Sequence, residues 1–165
     1  LLKQTDYTGD LKDELNTMSK DQLNFLPGNN LSERRYLTVK GDTVKYKNIT
    51  KRPSITYRWT SSNPTQHKKQ HQIISELRVK YPEVDFIGIN LDKDTSEGWK
   101  NAVFKNYYNT KFELQPINIS ANKNVINNYL NKLIFLNNKG TIVRGDLEIN
   151  TPDLESKIVE FISQQ

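Results

Sequence analysis

Ile55-Thr56-Tyr57-Arg58-Trp59-Thr60-Ser61-Ser62-Asn63-Pro64-Thr65-Gln66 changes character at its midpoint. The first half is β-branched and aromatic, the composition of a strand that fits a pleated, half-buried surface. The second half is hydroxyl, amide and proline, the composition of a helix start. Asn63 suits the N-cap, because its carboxamide oxygen can accept from the free N–H groups of a first turn. Pro64 then falls at N1, where no N–H is needed. Gln66 falls at N3 and is expected to reach back to the N–H of the cap residue, as in a capping box. Alternation along the strand puts Tyr57 and Trp59 on one face and Arg58 on the other. One of the two aromatics is expected in the core. Trp59 ends the strand, where α/β folds place their sites, and if partly exposed it would anchor a peptide partner.

The chain on either side extends the same α/β pattern. A helix is predicted from Pro64 to Tyr81, with Ile73, Ile74, Leu77 and Tyr81 on one face. Pro82 ends it, since the residue before a proline is pushed out of the α region. Val84 to Leu91 is a nearly continuous apolar run, as expected of a central parallel strand, and the helix between is long enough for one right-handed crossover. Asp92 to Ser96 opens another helix, with Trp99, Val103 and Tyr107 at steps of four. Gln115 to Ile119 reads as a short extended segment and Asn124 to Tyr129 as one or two helical turns. Lys132–Leu136 and Thr141–Arg144 read as strands joined by the hairpin turn Asn137-Asn138-Lys139-Gly140. In the last helix Thr151 can cap, Pro152 suits N1, and Leu154, Ile158 and Phe161 form the buried stripe. Upstream, Tyr36–Val39 and Val44–Ile49 read as a small hairpin turning at Gly41-Asp42. Residues 1–34 are expected to be a helical extension, or the end of an upstream region, with Leu11, Leu15, Met18 and Leu23 as its apolar side. Residues 35–165 form the main domain.

Length and charge bound the function. A chain of 165 residues buries one good core with room for a short appendage. The net charge is +5, but residues 31–81 alone carry twelve positive and three negative charges. Such a block could meet nucleic acid, anionic lipid or an acidic partner; without a zinc-finger spacing, an RNP-type aromatic signature or a dense basic arm, a solvated face is the preferred reading. No stretch approaches 18 consecutive apolar residues. Leu1 is not an initiating Met, and the chain is expected to be a processed or trimmed piece. Asparagine is frequent, at 19 residues, a composition that resembles proteins of AT-rich bacterial genomes.

Few other residue groups suggest chemistry. His67 and His71 are one helical turn apart and could ligate one metal. With no third ligand nearby and only Lys68, Lys69 and Gln70 between them, they are read as a solvated helix face. Asp92 and Asp94 read as an ordinary turn into a helix. Ser61, Ser62 and the histidines have no assignable acid partner for a triad, and Lys139-Gly140 lacks the spacing of a phosphate loop. There is no cysteine anywhere, so thiol–disulfide exchange through this chain's own side chains is excluded.

Several of these segments together resemble a known family. Trp59-Thr60-Ser61-Ser62 resembles the aromatic turn before the active-site cysteines of thioredoxin-like proteins. Phe86-Ile87-Gly88-Ile89-Asn90-Leu91-Asp92 resembles their second core strand, and Phe135-Leu136-Asn137-Asn138-Lys139-Gly140 their C-terminal hairpin. The likeness covers about residues 36–165, and the preceding hairpin resembles that of TlpA-type members. It implies an α/β thioredoxin-like fold: a central mixed β-sheet flanked by helices, with an N-terminal β-hairpin. In that alignment Asn63 and Gln66 occupy the two cysteine positions. Counting back from Gly140, Asn131 occupies the position of the family's cis-proline, which walls the substrate groove and holds its neighbour's backbone ready to pair with an extended substrate. A non-proline cis bond costs about 2.5–4 kcal/mol, so Leu130–Asn131 is expected to be trans.

What the resemblance implies for function is a redox-inactive domain. It would bind or scaffold, as part of a bacterial cell-envelope protein in the periplasm, with an upstream lipoprotein signal as one means of attachment. No residue is assigned as catalytic, and no cofactor or metal is expected. The groove would be formed by Trp59, Ser62, Asn63, Pro64, Leu130 and Asn131, and its partner would be a protein or an extended peptide. Two alternatives stay open. One is an enzyme of another class reusing the groove, which would need a deep polar pocket with perturbed carboxylates or histidines near Asn63. The other is a nucleic-acid or anionic-surface binder, which would need Arg34, Arg35, Lys45, Lys47, Arg52, Lys68 and Lys69 on one face.

Overall fold

The computed structural model describes residues 25–92, 96–117 and 129–165. Their order is β1 (Arg35–Thr38), β2 (Thr43–Lys45), α1 (Tyr46–Ile49), β3 (Ser54–Trp59), α2 (Pro64–Lys80), β4 (Asp85–Asn90), α3 (Ser96–Lys105), a single 3-10 turn at Thr110–Phe112, β5 (Glu113–Pro116), β6 (Lys132–Leu136), β7 (Ile142–Glu148) and α4 (Leu154–Ser163). The strands form one mixed sheet ordered β2-β1-β5-β4-β3-β6-β7. β3 pairs in parallel with β4 across the α2 crossover, and antiparallel with β6. This is the thioredoxin-like architecture, with the expected hairpin formed by β1 and β2.

Side-chain alternation splits the core into two layers. Every residue of β3 is buried, as a strand covered on both faces requires. Ile55, Tyr57 and Trp59, with Phe86 of β4 and Leu133 and Phe135 of β6, pack under the helices against Ile74, Trp99, Val103, Ile158 and Phe161. Ile87 and Ile89, with Ile134 and Leu136, point the other way and meet Leu31, Tyr36, Tyr46 and Leu114. A one-residue slip of either strand would exchange these faces.

Several boundaries differ from expectation. The run Val44–Ile49 is strand only to Lys45, and Tyr46–Ile49 is a helical turn. The backbone N–H groups of Tyr46 and Lys47 donate to the carbonyls of Arg34 and Ser32, which draws the chain out of the hairpin. The third helix stops at Lys105, two residues short of Tyr107. Tyr107 adopts φ 57° and is 94% exposed, while Tyr108 turns inward in its place. The short segment near Gln115 is a full sheet member, paired with both β1 and β4. The last helix begins at Leu154, with Asp153 at the N-cap, where its side chain makes no capping bond; Pro152 lies in the turn before it, and the Thr151 hydroxyl accepts from the Glu148 N–H. Residues 25–34 are tied to the main domain: the Gly28 N–H donates to the Ile142 carbonyl and the Leu31 N–H to the Gly140 carbonyl, each at 2.8 Å. The apolar positions Leu11, Leu15, Met18 and Leu23, and the turns expected from Asn124 to Asn128, lie outside the described residues.

One glycine positions the site. Gly88 faces Glu113 across the β4–β5 ladder, and a Cβ on Gly88 would overlap the Glu113 carboxylate, its carbon lying 2.8 Å away. The missing side chain is the space in which a charged group enters the core. Gly88→Ala is therefore expected to destabilise the domain by about 1–3 kcal/mol through overpacking, measured as a shift in the urea midpoint with unchanged slope.

Candidate functional site: a capped helix start above a buried glutamate

Of the positions singled out by the resemblance, Asn63 and Gln66 lie at the start of α2. The Asn63 side-chain oxygen accepts from the Gln66 N–H at 3.2 Å, the expected cap. Gln66 does not close a capping box. Its side-chain nitrogen donates instead to the Leu130 carbonyl at 3.2 Å, and Gln70, one turn further, donates to the same carbonyl at 3.2 Å. Gln70 also donates to the Arg58 carbonyl at 2.9 Å, which binds the middle of the helix turn to the strand before it. A carbonyl oxygen has two lone pairs, so Leu130 is fully engaged from within the domain. No peptide bond among the described residues is cis, and Leu130–Asn131 is trans as expected. The first turn of α2 and the segment Leu130–Asn131 thus face each other, joined by glutamine amides.

The turn before the helix is fixed by Asp92. Its carboxylate accepts from the Thr60 hydroxyl at 2.7 Å, the Ser61 N–H at 2.9 Å and the Ser61 hydroxyl at 2.5 Å. Ser61 is therefore occupied as a structural donor, and no histidine approaches it among the described hydrogen bonds. Ser62, Asn63, Pro64 and Asn131 are exposed and Leu130 is half-buried, so all five keep surface that the expected groove could use. Trp59 does not belong to it. Both Trp59 and Tyr57 are fully buried, because the strand is covered on both faces, and the expectation of an aromatic anchor in the groove is corrected.

The histidines are corrected as well. His67 and His71 do not lie on a solvated helix face; they are 2% and 6% exposed and pack inward against Trp59. His71 meets Glu113, which has no exposed surface. One of its oxygens meets the Tyr57 hydroxyl at 2.6 Å and His71 Nε2 at 2.7 Å; the other accepts from Trp59 Nε1 at 2.9 Å. His71 Nδ1 lies 2.7 Å from the His67 carbonyl. A carbonyl only accepts, so Nδ1 carries a proton, and one further proton lies between Nε2 and the carboxylate. The Tyr108 ring stacks on His71, with centroids 3.5 Å apart and planes within 4°. Its hydroxyl reaches His67 Nδ1 at 2.7 Å.

Burial sets the protonation of the aromatic members. It pushes the Tyr57 hydroxyl well above its ordinary range, and the neighbouring Glu113 charge adds to this. Burial raises Tyr108 too, again with Glu113 adding. Both phenols therefore stay protonated and donate. Burial lowers the basicity of His67, helped by His71 and Lys68 nearby. A neutral His67 accepts from Tyr108 through Nδ1 and carries its own proton on Nε2.

Neither Glu113 nor its convergence of donors was singled out in the sequence. Two signals were present: a lone glycine inside an otherwise apolar strand, and two histidines at one-turn spacing. No group of three or more His, Asp or Glu among the described residues is arranged to hold a metal ion. The arrangement holds a carboxylate still, away from solvent, and ties α2, β3 and β5 together.

Two outcomes follow. Glu113→Gln keeps the shape but places an NH2 where donors already point, and removes the negative partner of the His71 site. A loss of about 3–5 kcal/mol is expected by chemical denaturation, the cost of breaking a buried pair. For His67, the folded chain holds the imidazole neutral, while the unfolded chain takes up a proton below its ordinary value of 6.5. Unfolding then binds a proton, so stability declines as pH falls through about 6.5 and levels off above it. His67→Gln is expected to flatten the slope of stability between about pH 7 and 5 relative to the natural sequence.

No family model matches the chain, and neither does any curated protein. Solved structures do match. The thioredoxin domain of a thiol-disulfide oxidoreductase from Bacteroides vulgatus superposes with TM-score 0.61 at 16% identity, covering 83% of this chain and 98% of that one. A thiol-disulfide oxidoreductase from Bacteroides fragilis gives 0.60 at 18%, covering 79% and 98%. A thiol:disulfide interchange protein from a Bacteroides species gives 0.56 at 16%, covering 84% and 91%. Identities this low establish the fold: the chain has the thioredoxin-like fold, and it has it without a cysteine.

Proposed function

We propose that this chain is a redox-inactive thioredoxin-like domain that binds or scaffolds a protein partner or an extended peptide in the bacterial cell envelope. The observation that carries the reading is the use made of the two former cysteine positions. Asn63 caps α2 and Gln66 braces the facing segment, so both serve the structure, and no chain thiol exists to react. The exposed strip of Ser62, Asn63, Pro64 and Asn131 is the surface left for a partner. Because the Leu130 carbonyl is already occupied by Gln66 and Gln70, a docked peptide would be read by the Asn63 and Asn131 carboxamides rather than by strand-like pairing to that carbonyl. The compartment is part of the proposal and rests on the likeness to TlpA-type domains.

Two observations favour this reading over its rivals. The histidine and glutamate cluster near Asn63 is largely buried, with Glu113 fully so, which disfavours catalysis through it. Within the basic stretch, Lys45 and Lys47 both engage Glu33, and Arg52 lies 3.5 Å from Asp85, so part of that charge is met locally.

The test has two arms. The natural chain is expected to show no turnover in insulin reduction, with Asn63→Cys/Gln66→Cys as the thiol-bearing control; turnover by the natural sequence would overturn the reading. Photo-crosslinking residues placed at Ser62 and Asn131 are expected to capture one defined partner that the same group at exposed Val159 does not. Equal capture from all three positions, or none from the first two, would remove the assigned surface.

A further inference from the structure

We infer that the cavity between α2 and the turn Asn106–Asn109 binds a ligand carboxylate with an adjoining amide, the carboxylate meeting Arg78 and Lys68. The cavity has a volume of about 430 Å3, within the range of small-molecule sites. One face of α2 makes its first wall and that turn makes the second. Among the described residues no acidic side chain lines it, while Lys68 and Arg78 both do.

Arg78 is half-buried and set in place. Its Nη2 donates to the Phe86 carbonyl at 2.7 Å and to the Tyr57 hydroxyl at 3.3 Å, and the Phe112 ring centroid lies 5.8 Å from Cζ. The rest of the guanidinium is unused. Nε is buried without a hydrogen-bond partner, and Nη1 has no partner among the described residues yet is not enclosed. No carboxylate among the described residues pairs with Arg78 or with Lys68. A guanidinium held by two fixed acceptors has little freedom left to lose when it takes an oxyanion, and a buried donor left unmet calls for an acceptor.

The charge behind the wall selects among anions. The Tyr57 hydroxyl that Arg78 meets donates in turn to Glu113 at 2.6 Å. One negative charge therefore already stands a single residue away, and it repels a phosphate dianion more than a carboxylate. The facing turn supplies the amide contacts. Asn106 donates through Nδ2 to the Ala102 carbonyl at 2.8 Å, which leaves its Oδ1 as an acceptor. Asn109 accepts the Lys111 N–H on Oδ1 at 3.1 Å, which leaves its Nδ2 as a donor. One acceptor and one donor on the same turn match the N–H and C=O of an amide. Between them Tyr107, at φ 57°, stands 94% exposed on the cavity margin and offers its ring to whatever the amide carries. A carboxylate beside an amide has two sources: the C-terminus of a peptide, or a free N-acylated amino acid.

This inference does not rest on the proposed function, and neither Ser62 nor Asn131 lines the cavity. The test is a titration of the full chain followed by the backbone amide NMR signals of Ser75–Val79 and Asn106–Asn109. N-acetylglycine is expected to shift these signals saturably, and N-acetylglycinamide, which lacks the carboxylate, is not. Arg78→Lys keeps the charge and loses the fork, and is expected to raise the half-saturation concentration about tenfold. Lys68→Gln, at an exposed position that leaves the fold intact, is expected to raise it severalfold. Penta-alanine with a free C-terminus separates the sources: tighter binding than N-acetylglycine assigns the site to a peptide end, and binding no tighter assigns it to the small acid. The inference is overturned if N-acetylglycine gives no saturable shift, if the acid and its amide act alike, or if inorganic phosphate binds more tightly than N-acetylglycine. It is also overturned if neither Arg78→Lys nor Lys68→Gln changes the half-saturation.

Discussion

A carboxylate with no access to water holds the centre of this domain. Glu113 receives a phenol and an indole from β3, across the intervening strand β4, and an imidazole from α2, and its charge is tolerable only because those donors are fixed around it. The arrangement constrains much else. Gly88 must have no side chain, because the carboxylate stands in its place. Trp59 and Tyr57 must both point inward, so the strand cannot slip. His71 must face the sheet, which turns α2 so that Gln66 and Gln70 meet the Leu130 carbonyl. The helix start is thereby positioned by a polar contact beneath it as much as by its cap.

The start of α2 is occupied by the chain's own residues. The Asn63 amide caps the helix and the Gln66 amide crosses to the opposing segment. Gln66 and Gln70 point their carbonyl oxygens into buried positions with no donor among the described residues, so the amides are held by their nitrogen ends alone. The helix start is a brace, and Ser62, Asn63, Pro64 and Asn131 stay exposed around it.

The fold was readable in the sequence because its strongest signals are local. The apolar run of β4, the Asn-Pro opening of α2 and the Asn137–Gly140 hairpin each depend on residues within a few positions of one another, and each was found where expected. The site was only half readable. Asn63 as a cap is a local fact and held. Gln66 as the return half of a capping box is also a local expectation, and it failed because a carbonyl 64 residues away competes for the amide. His67 and His71 were misread for the same reason: lysines beside them suggest a wet face, while the acid that meets His71 lies 42 residues beyond it and the phenol that meets His67 lies 41 residues away, in segments whose period gives no warning. Tyr107 shows a third kind of failure. The step-of-four pattern was real, but the helix ended before it could be used.

The ties between residues 28–31 and the hairpin turn have a consequence for how the sheet ends. A seven-stranded sheet has two open margins, and an unpaired margin is a template for another chain. On one side β2 is three residues long, too short to offer much backbone. On the other, Ile142, the first residue of β7, is already engaged by Gly28 and Asn29, and Leu31 holds the turn before it at Gly140; further along the strand Arg144 and Asp146 form an ion pair at 2.7 Å across two residues, placing charge on the remaining margin. An incoming strand therefore meets a blocked start, a charged middle or a very short alternative. The segment that precedes the sheet in sequence protects it from growing sideways.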